Sequence, residues 1–267
     1  MKKSSKQTAL EEKLISRVAG KPAEVARFLF ESEELQALHD HANIVSIKRL
    51  HFNDHGPVHM RKAALNSIIM ANLLHEAGIK LNLETEQTGD YEDSIVSIIT
   101  ASMLHDIGMG VCRDNHETLS VVMAYPFVNR MLEKFYNDSV NKKIAIRSLI
   151  LEGIVGHMAT QQIHSLEAGL VLIGDGCDME KGRARITALM ASKPQVGDIH
   201  KYSASAIQKL RISKGEEKPI RIVATMSQSV GFFQIEEVLF PKIASSPVKP
   251  YIELYAGIRD GEMLRYL

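Results

Sequence analysis

The chain has 267 residues, enough to bury a sizeable core as one large domain or as a domain with a small appendix. At 45% hydrophobic and 24% charged it has the composition of a soluble globular protein, and no apolar run approaches the length of a membrane span. Its 32 Lys plus Arg balance 32 Asp plus Glu, so nothing global points to nucleic acid or to an anionic membrane surface.

Met1-Lys2-Lys3 leads into polar residues without the apolar core of a signal peptide. Cys112 and Cys177 lack metal-type spacing and fit a reducing interior, so a cytoplasmic location is expected. Residues 1 to about 8 read as frayed. From Leu10 to about Leu38 the apolar spacing is helical, broken near Gly20-Lys21-Pro22, and a short apolar-periodic piece follows from Asn43 to about Leu50. Gly56-Pro57 resembles a helix start, which puts His59 in the first turn of a central helix running to about Glu76. A polar loop from Lys80 to Gly89 separates it from the next helix.

That helix has Asp90 as its predicted N-cap and carries Ile95, Val96, Ile98, Ile99, Met103 and Leu104. It ends on His105-Asp106, with Gly108 and Gly110 as stop signals. A carboxylate at the inner end of a core helix is costly without a cation, either a metal or an arginine. The doublet alone is a weak signal, because His39-Asp40 repeats it with no apolar helix before it and no glycine after it. Further helices are predicted from about His116 to Phe135 and from about Val140 to Met158. The nearly unbroken apolar run Leu166 to Ile173 reads as a buried helix, with a core strand as the alternative, and leads to Asp175.

A helix near Tyr202 to Leu210 then precedes Lys214-Gly215-Glu216-Glu217-Lys218-Pro219, read as the linker. Beyond it, Ile220 to Met226 and Ile252 to Ala256 alternate as strands around a helical stretch from Ile235 to Ile243. The expected organisation is a mainly α fold with a helical domain over 1-214 and a small strand-helix-strand α/β appendix over 219-267. The appendix is too small to stand alone and must pack on the helical body or on a second copy. Its open edges predict a homo-oligomer, most simply a dimer, with the tail contributing self-association and no chemistry.

The ordered set of His59 starting a helix, His105-Asp106 followed by Gly108, and Asp175 ending an apolar helix resembles the HD-domain metal-dependent phosphohydrolases over about residues 51-185. The resemblance implies an HD-type helical bundle in which His59, His105, Asp106 and Asp175 bind a divalent metal. Two imidazoles and two carboxylates by themselves suit Mn, Fe, Ni, Co, Zn or Mg, and do not choose among them. Branches of the family that hold two metals add histidines after the doublet, for which His116 and His157 are candidates. In other branches a histidine placed like His116 meets substrate phosphate or acts as general acid.

Asp178, three residues after Asp175, is a candidate to assist the attacking water, or a partner for Arg183. Lys181, Arg183 and Arg185 suit a phosphate-bearing substrate. Asp54 and His55 are either partners of a metal ligand or turn residues. The implied function is hydrolysis of a nucleotide or related phosphate ester by hydroxide formed at the metal, with Asp106, His116 and Asp178 as the catalytic group. The alternatives are a cyclic nucleotide or cyclic dinucleotide phosphodiesterase with two metals, and a non-catalytic metal- and nucleotide-binding regulatory module. The chain lacks the Gly-Tyr-Pro signature of one cyclic-di-GMP phosphodiesterase branch and the Glu-Asp pair that follows the doublet in alarmone hydrolases, which leaves the substrate open.

Overall fold

The computed structural model describes residues 3–50, 53–180 and 198–267. A reciprocal cap starts the helical layer. The Ser4 hydroxyl accepts from the Gln7 amide while the Gln7 side chain accepts from the Ser4 amide, so α1 (Ser5–Ile15) begins within the stretch expected to fray. It is followed by α2 (Gly20–Glu31) and α3 (Glu33–Ile44), the latter extended by a π-helical turn, Val45–Arg49. Gly20 has φ +56°, a left-handed value that breaks the helical run where the sequence predicted it.

Two helices apolar on nearly every side form the centre. α4 (Pro57–Glu76) starts on its proline, and α6 (Tyr91–Leu104) starts on Asp90, whose carboxylate accepts from the Asp93 amide. A short α5 (Asn82–Thr85) lies in the loop between them. Around this pair pack α7 (His116–Phe135), α8 (Val140–Gly156) and α9 (Leu166–Gly176). The apolar run before Asp175 is therefore a helix. It approaches α4 so closely that a Cβ on Gly174 would lie 2.0 Å from Ser67 Oγ and 2.9 Å from the Ala63 carbonyl oxygen. Glycine here is a packing requirement, because backbone atoms cannot swing aside.

The C-terminal layer is larger than expected. After α10 (Asp198–Ala206) come β1 (Ile207–Lys214), β2 (Ile220–Met226), the short helices α11 (Phe232–Gln234) and α12 (Phe240–Ser245), β3 (Ile252–Ile258) and β4 (Met263–Arg265). A π-helical turn, Ile235–Leu239, joins α11 to α12. The strands form one sheet in the order β1-β2-β3-β4, with β2 and β3 parallel across the helical crossover and the outer pairs antiparallel. The strand-helix-strand unit is thus present, flanked by two strands the sequence reading missed. β1 occupies part of the segment expected to be helical. A bulge between Ile207 and Lys209 leaves Ile207 and Leu210 both buried, three residues apart, which imitates helical spacing. The polar stretch Lys214 to Pro219, expected to be a linker, is the β1–β2 turn, so β1 lies on the helical side of the expected boundary.

The inner face of the sheet, including Leu210, Ile222, Ala224, Leu254 and Ala256, joins the same apolar core as the helices. β1 and β2 pack on α4, and α12 packs on α9. No helix among the described residues is long and apolar enough to cross a membrane.

Candidate metal centre

Helix ends converge at one buried point. His59 comes from the first turn of α4, His105 and Asp106 from the end of α6, and His116 is the first residue of α7. His157 follows the end of α8, and Asp175 lies in the last turn of α9. His59, His105, Asp106, His116, His157 and Asp175 are all buried.

Asp106 lies between two groups of donors. Its Oδ2 is 3.2 Å from His59 Nε2 and 3.3 Å from His105 Nε2, and Asp175 Oδ1 closes this group at 3.2 Å from His59 Nε2 and 3.7 Å from His105 Nε2. Its Oδ1 is 3.1 Å from both His116 Nε2 and His157 Nε2. The groups His59–His105–Asp106 and Asp106–His116–His157 each bring their ligand atoms within 4.8 Å of one another.

The outer ring nitrogens show why this packing asks for a cation. His105 Nδ1 donates to the Ser102 carbonyl at 2.8 Å, His116 Nδ1 to the Arg113 carbonyl at 2.9 Å, and His157 Nδ1 to the Ile154 carbonyl at 2.7 Å. His59 Nδ1 donates to Asp178 Oδ2 at 2.8 Å. A carbonyl or carboxylate oxygen can only accept, so each of these imidazoles carries a proton on Nδ1 and turns its Nε2 inward. The Nε2 atoms then face each other at 3.2 Å between His59 and His105 and at 3.1 Å between His116 and His157. Nitrogen and carboxylate donors without a thiolate, each imidazole oriented by a partner behind it, fit a divalent ion of borderline or hard character.

The electrostatics point the same way. Burial opposes charge on Asp106, yet His105, His55 and His116 hold its carboxyl well below the usual range. Burial likewise opposes charge on Asp175, and Lys242 first, then His105 and His59, keep it ionised. His105 is pulled in two directions: burial lowers its pKa, but Asp106 and Asp175 together outweigh this and raise it. For His157 burial, with the charge of His105 acting the same way, outweighs the hydrogen bond and charge of Asp106 and the charge of Asp175, and its pKa is lowered. The pull that would draw a proton to His105 is equally a pull on a metal cation.

His59, His105, Asp106 and Asp175 therefore meet as expected, and His116 and His157 join them through Asp106. Asp178 sits behind His59 rather than among the inward-facing donors, where it fixes the ring. Lys181, Arg183 and Arg185 lie outside the described residues. His164, seven residues beyond His157, is exposed. His55 belongs to the centre: its Nε2 is 4.0 Å from Asp106 Oδ2 and its Nδ1 donates to the Asn53 carbonyl at 2.7 Å.

Lys242 escaped the sequence reading and brings the tail, expected to contribute self-association and no chemistry, into contact with the site. This buried residue of α12 reaches from the C-terminal layer, and its Nζ donates to Asp175 Oδ2 at 2.5 Å and to the His157 carbonyl at 2.7 Å. One signal could have found it. Ile235, Leu239 and Ile243 form an apolar stripe, and Lys242 interrupts it seven residues after Ile235.

The two bare histidine-aspartate pairs separate cleanly. His39 is a buried core residue whose Nε2 donates to the Met103 carbonyl at 2.6 Å. Burial pushes its pKa down to about 3, with the positive charge of Arg61 acting in the same direction.

The fold and centre define a mainly helical protein with a buried histidine–aspartate cluster that could hold a metal ion. The chain is 34% identical over 244 residues to uncharacterized protein MJ1020 of Methanocaldococcus jannaschii, an alignment spanning 91% of this chain and 92% of that protein. It belongs to the same family as that archaeal protein. No family model matches the chain, and no solved structure matches it.

Proposed function

We propose that the protein is an HD-type metal-dependent phosphohydrolase acting on a nucleotide or related phosphate ester. The observation that carries this reading is Asp106, whose two carboxylate oxygens each face a pair of histidine Nε2 atoms at 3.1–3.3 Å. His59, His105, Asp106 and Asp175 would hold one divalent ion, and His116 and His157 would hold a second with Asp106 shared. Bound there, such ions supply positive charge for a phosphoryl oxygen and for the water that attacks phosphorus.

The chain's own residues do the rest. Asp178 and the carbonyls of Ser102, Arg113 and Ile154 fix the four imidazoles with Nε2 inward, as their hydrogen bonds support. Lys242 neutralises the outer oxygen of Asp175 and leaves Oδ1 for the centre. The imidazole of His55 stands at the edge of the centre, its Nε2 4.0 Å from Asp106 Oδ2 and its other nitrogen held by the Asn53 carbonyl.

A second reading, a cyclic nucleotide or cyclic dinucleotide phosphodiesterase, is favoured by one observation, the extra histidine pair on Asp106 Oδ1. Metal analysis of purified protein and a panel of nucleoside mono-, di- and triphosphates and cyclic nucleotides, assayed with Mn²⁺, test both readings. Release of inorganic phosphate is expected from the first class of substrate, and ring opening to a monoester from the second. Asp106→Ala should abolish turnover and metal retention with the fold preserved by circular dichroism. Full activity in that variant, or no hydrolysis of any phosphate ester, would overturn the proposal.

A further inference from the structure

The face of the sheet turned away from the helices carries a second feature that the metal centre does not use. Along β2, Ile220, Ile222, Ala224 and Met226 point inward and are buried, while Arg221, Val223 and Thr225 alternate outward and remain partly exposed. β1 pairs with them so that Lys209 lies opposite Thr225, Arg211 opposite Val223 and Ser213 opposite Arg221. Lys214 closes the row at the hairpin turn. These residues, with Glu216, line an open-sided hollow of about 430 Å³.

The hollow has four cations against one carboxylate in a chain whose net charge is zero. The carboxylate, Glu216, is engaged by Arg221, whose guanidinium also lies 4.5 Å from the centroid of the Tyr255 ring. Glu253, opposite Arg221 on β3, turns its Oε1 into the hairpin and accepts the amides of Glu217 and Lys218. No ion pair joins Lys209, Arg211 or Lys214 to another described residue. Like charges crowded on one sheet face repel each other, and a concave surface holding them focuses a positive potential.

We propose that this hollow is a binding site for a small polyphosphate-bearing anion, such as an organic di- or triphosphate. The arginine fork of Arg211 and the ammonium groups of Lys209 and Lys214 provide charge-assisted donors, and the hydroxyls of Ser213 and Thr225 add neutral ones. Val223 forms an apolar floor between them. The volume suits a small molecule, and the surplus of cations suits several phosphate charges rather than one carboxylate. The hollow shares no lining residue with the metal centre, so the inference stands whether or not the centre hydrolyses phosphate esters.

The test is isothermal titration of inorganic tripolyphosphate into the full-length protein at low salt. Three proteins are compared: wild type, Asp106→Ala, and the double variant Lys209→Gln/Arg211→Gln, whose altered side chains are exposed and outside the core. Wild type and Asp106→Ala should bind with the same affinity, weakened by added salt, while the double variant binds at least about tenfold more weakly. The double variant should retain wild-type thermal stability and metal content. Three results would overturn the site: no binding by wild type at millimolar probe, equal affinity in the double variant, or binding lost in Asp106→Ala but kept in the double variant. A single-stranded oligonucleotide that competes far more tightly than tripolyphosphate would replace the small-anion ligand with nucleic acid.

Discussion

Gly108→Ala should separate the two halves of the centre. A Cβ at Gly108 would sit 2.2 Å from the His116 carbonyl oxygen, 2.7 Å from the Ser120 amide nitrogen and 2.9 Å from Ser120 Oγ. Ordinary contact begins near 3.4 Å, so the first turn of α7 must retreat by about 1.2 Å, and backbone atoms leave no side chain to rotate away. The retreat also strains the hydrogen bond from the Gly108 amide to Ser120 Oγ, now 2.8 Å. Overpacking of this kind costs about 1–3 kcal/mol and a lost hydrogen bond about 1 kcal/mol. His116 moves with its helix, whereas metal ligation tolerates only about 0.2 Å. The nearest neighbours of the new Cβ belong to His116 and Ser120, not to His59, His105, Asp106 or Asp175. With two ions held as proposed, metal content should fall to one per chain, measured by plasma mass spectrometry, with a melting temperature lower by at least about 4 °C. Gly110→Ala is the control, because its nearest new neighbour is a His41 ring carbon at 3.3 Å. Two ions and an unchanged melting temperature in Gly108→Ala would refute the reasoning, as would loss of both ions together.

Lys242→Met removes the cation beside a buried carboxylate and should cost about 3–5 kcal/mol in chemical denaturation, with Lys242→Arg recovering part of it; a loss below about 1 kcal/mol would mean that Asp175 does not depend on Lys242. Chelation should lower the melting temperature as well as activity, because ligands from separate helices are cross-linked only while an ion is bound. An unchanged melting temperature after complete metal removal would contradict that geometry. His39 supplies a pH test: with its pKa lowered from 6.5 to about 3, it contributes fully to stability above pH 6.5 and loses that contribution as pH falls through this window. Relative to His39→Gln, which keeps a donor for the Met103 carbonyl, wild type should lose about 2 kcal/mol between pH 7.5 and 5.0. A difference independent of pH would show that His39 takes up a proton as readily in the folded state as in the unfolded one.

Much of the helical layer was legible because its signals are local. Pro57 at the start of α4, Asp90 before α6 and the apolar spacing of each helix act within a few residues, and a chain segment carries them wherever it lies. The positions of the candidate ligands His59, His105, Asp106 and Asp175 were legible for a related reason: each stands at a helix end marked by proline, glycine or the last apolar residue, in an order that resembles the HD-domain proteins. What tertiary structure alone decided is which polar groups share a space. His39-Asp40 and His105-Asp106 read alike as dipeptides, yet one histidine is a core donor to Met103 and the other faces a metal-type cluster. Lys242 lies 67 residues from Asp175 and touches it only because the crossover between β2 and β3 lays α12 on α9. The bulge that hid β1 is a property of its pairing with β2, and Gly108 matters because the backbone of α7 presses against it. Periodicity and caps are written residue by residue, whereas close approach between distant segments exists only once the core has chosen how they pack.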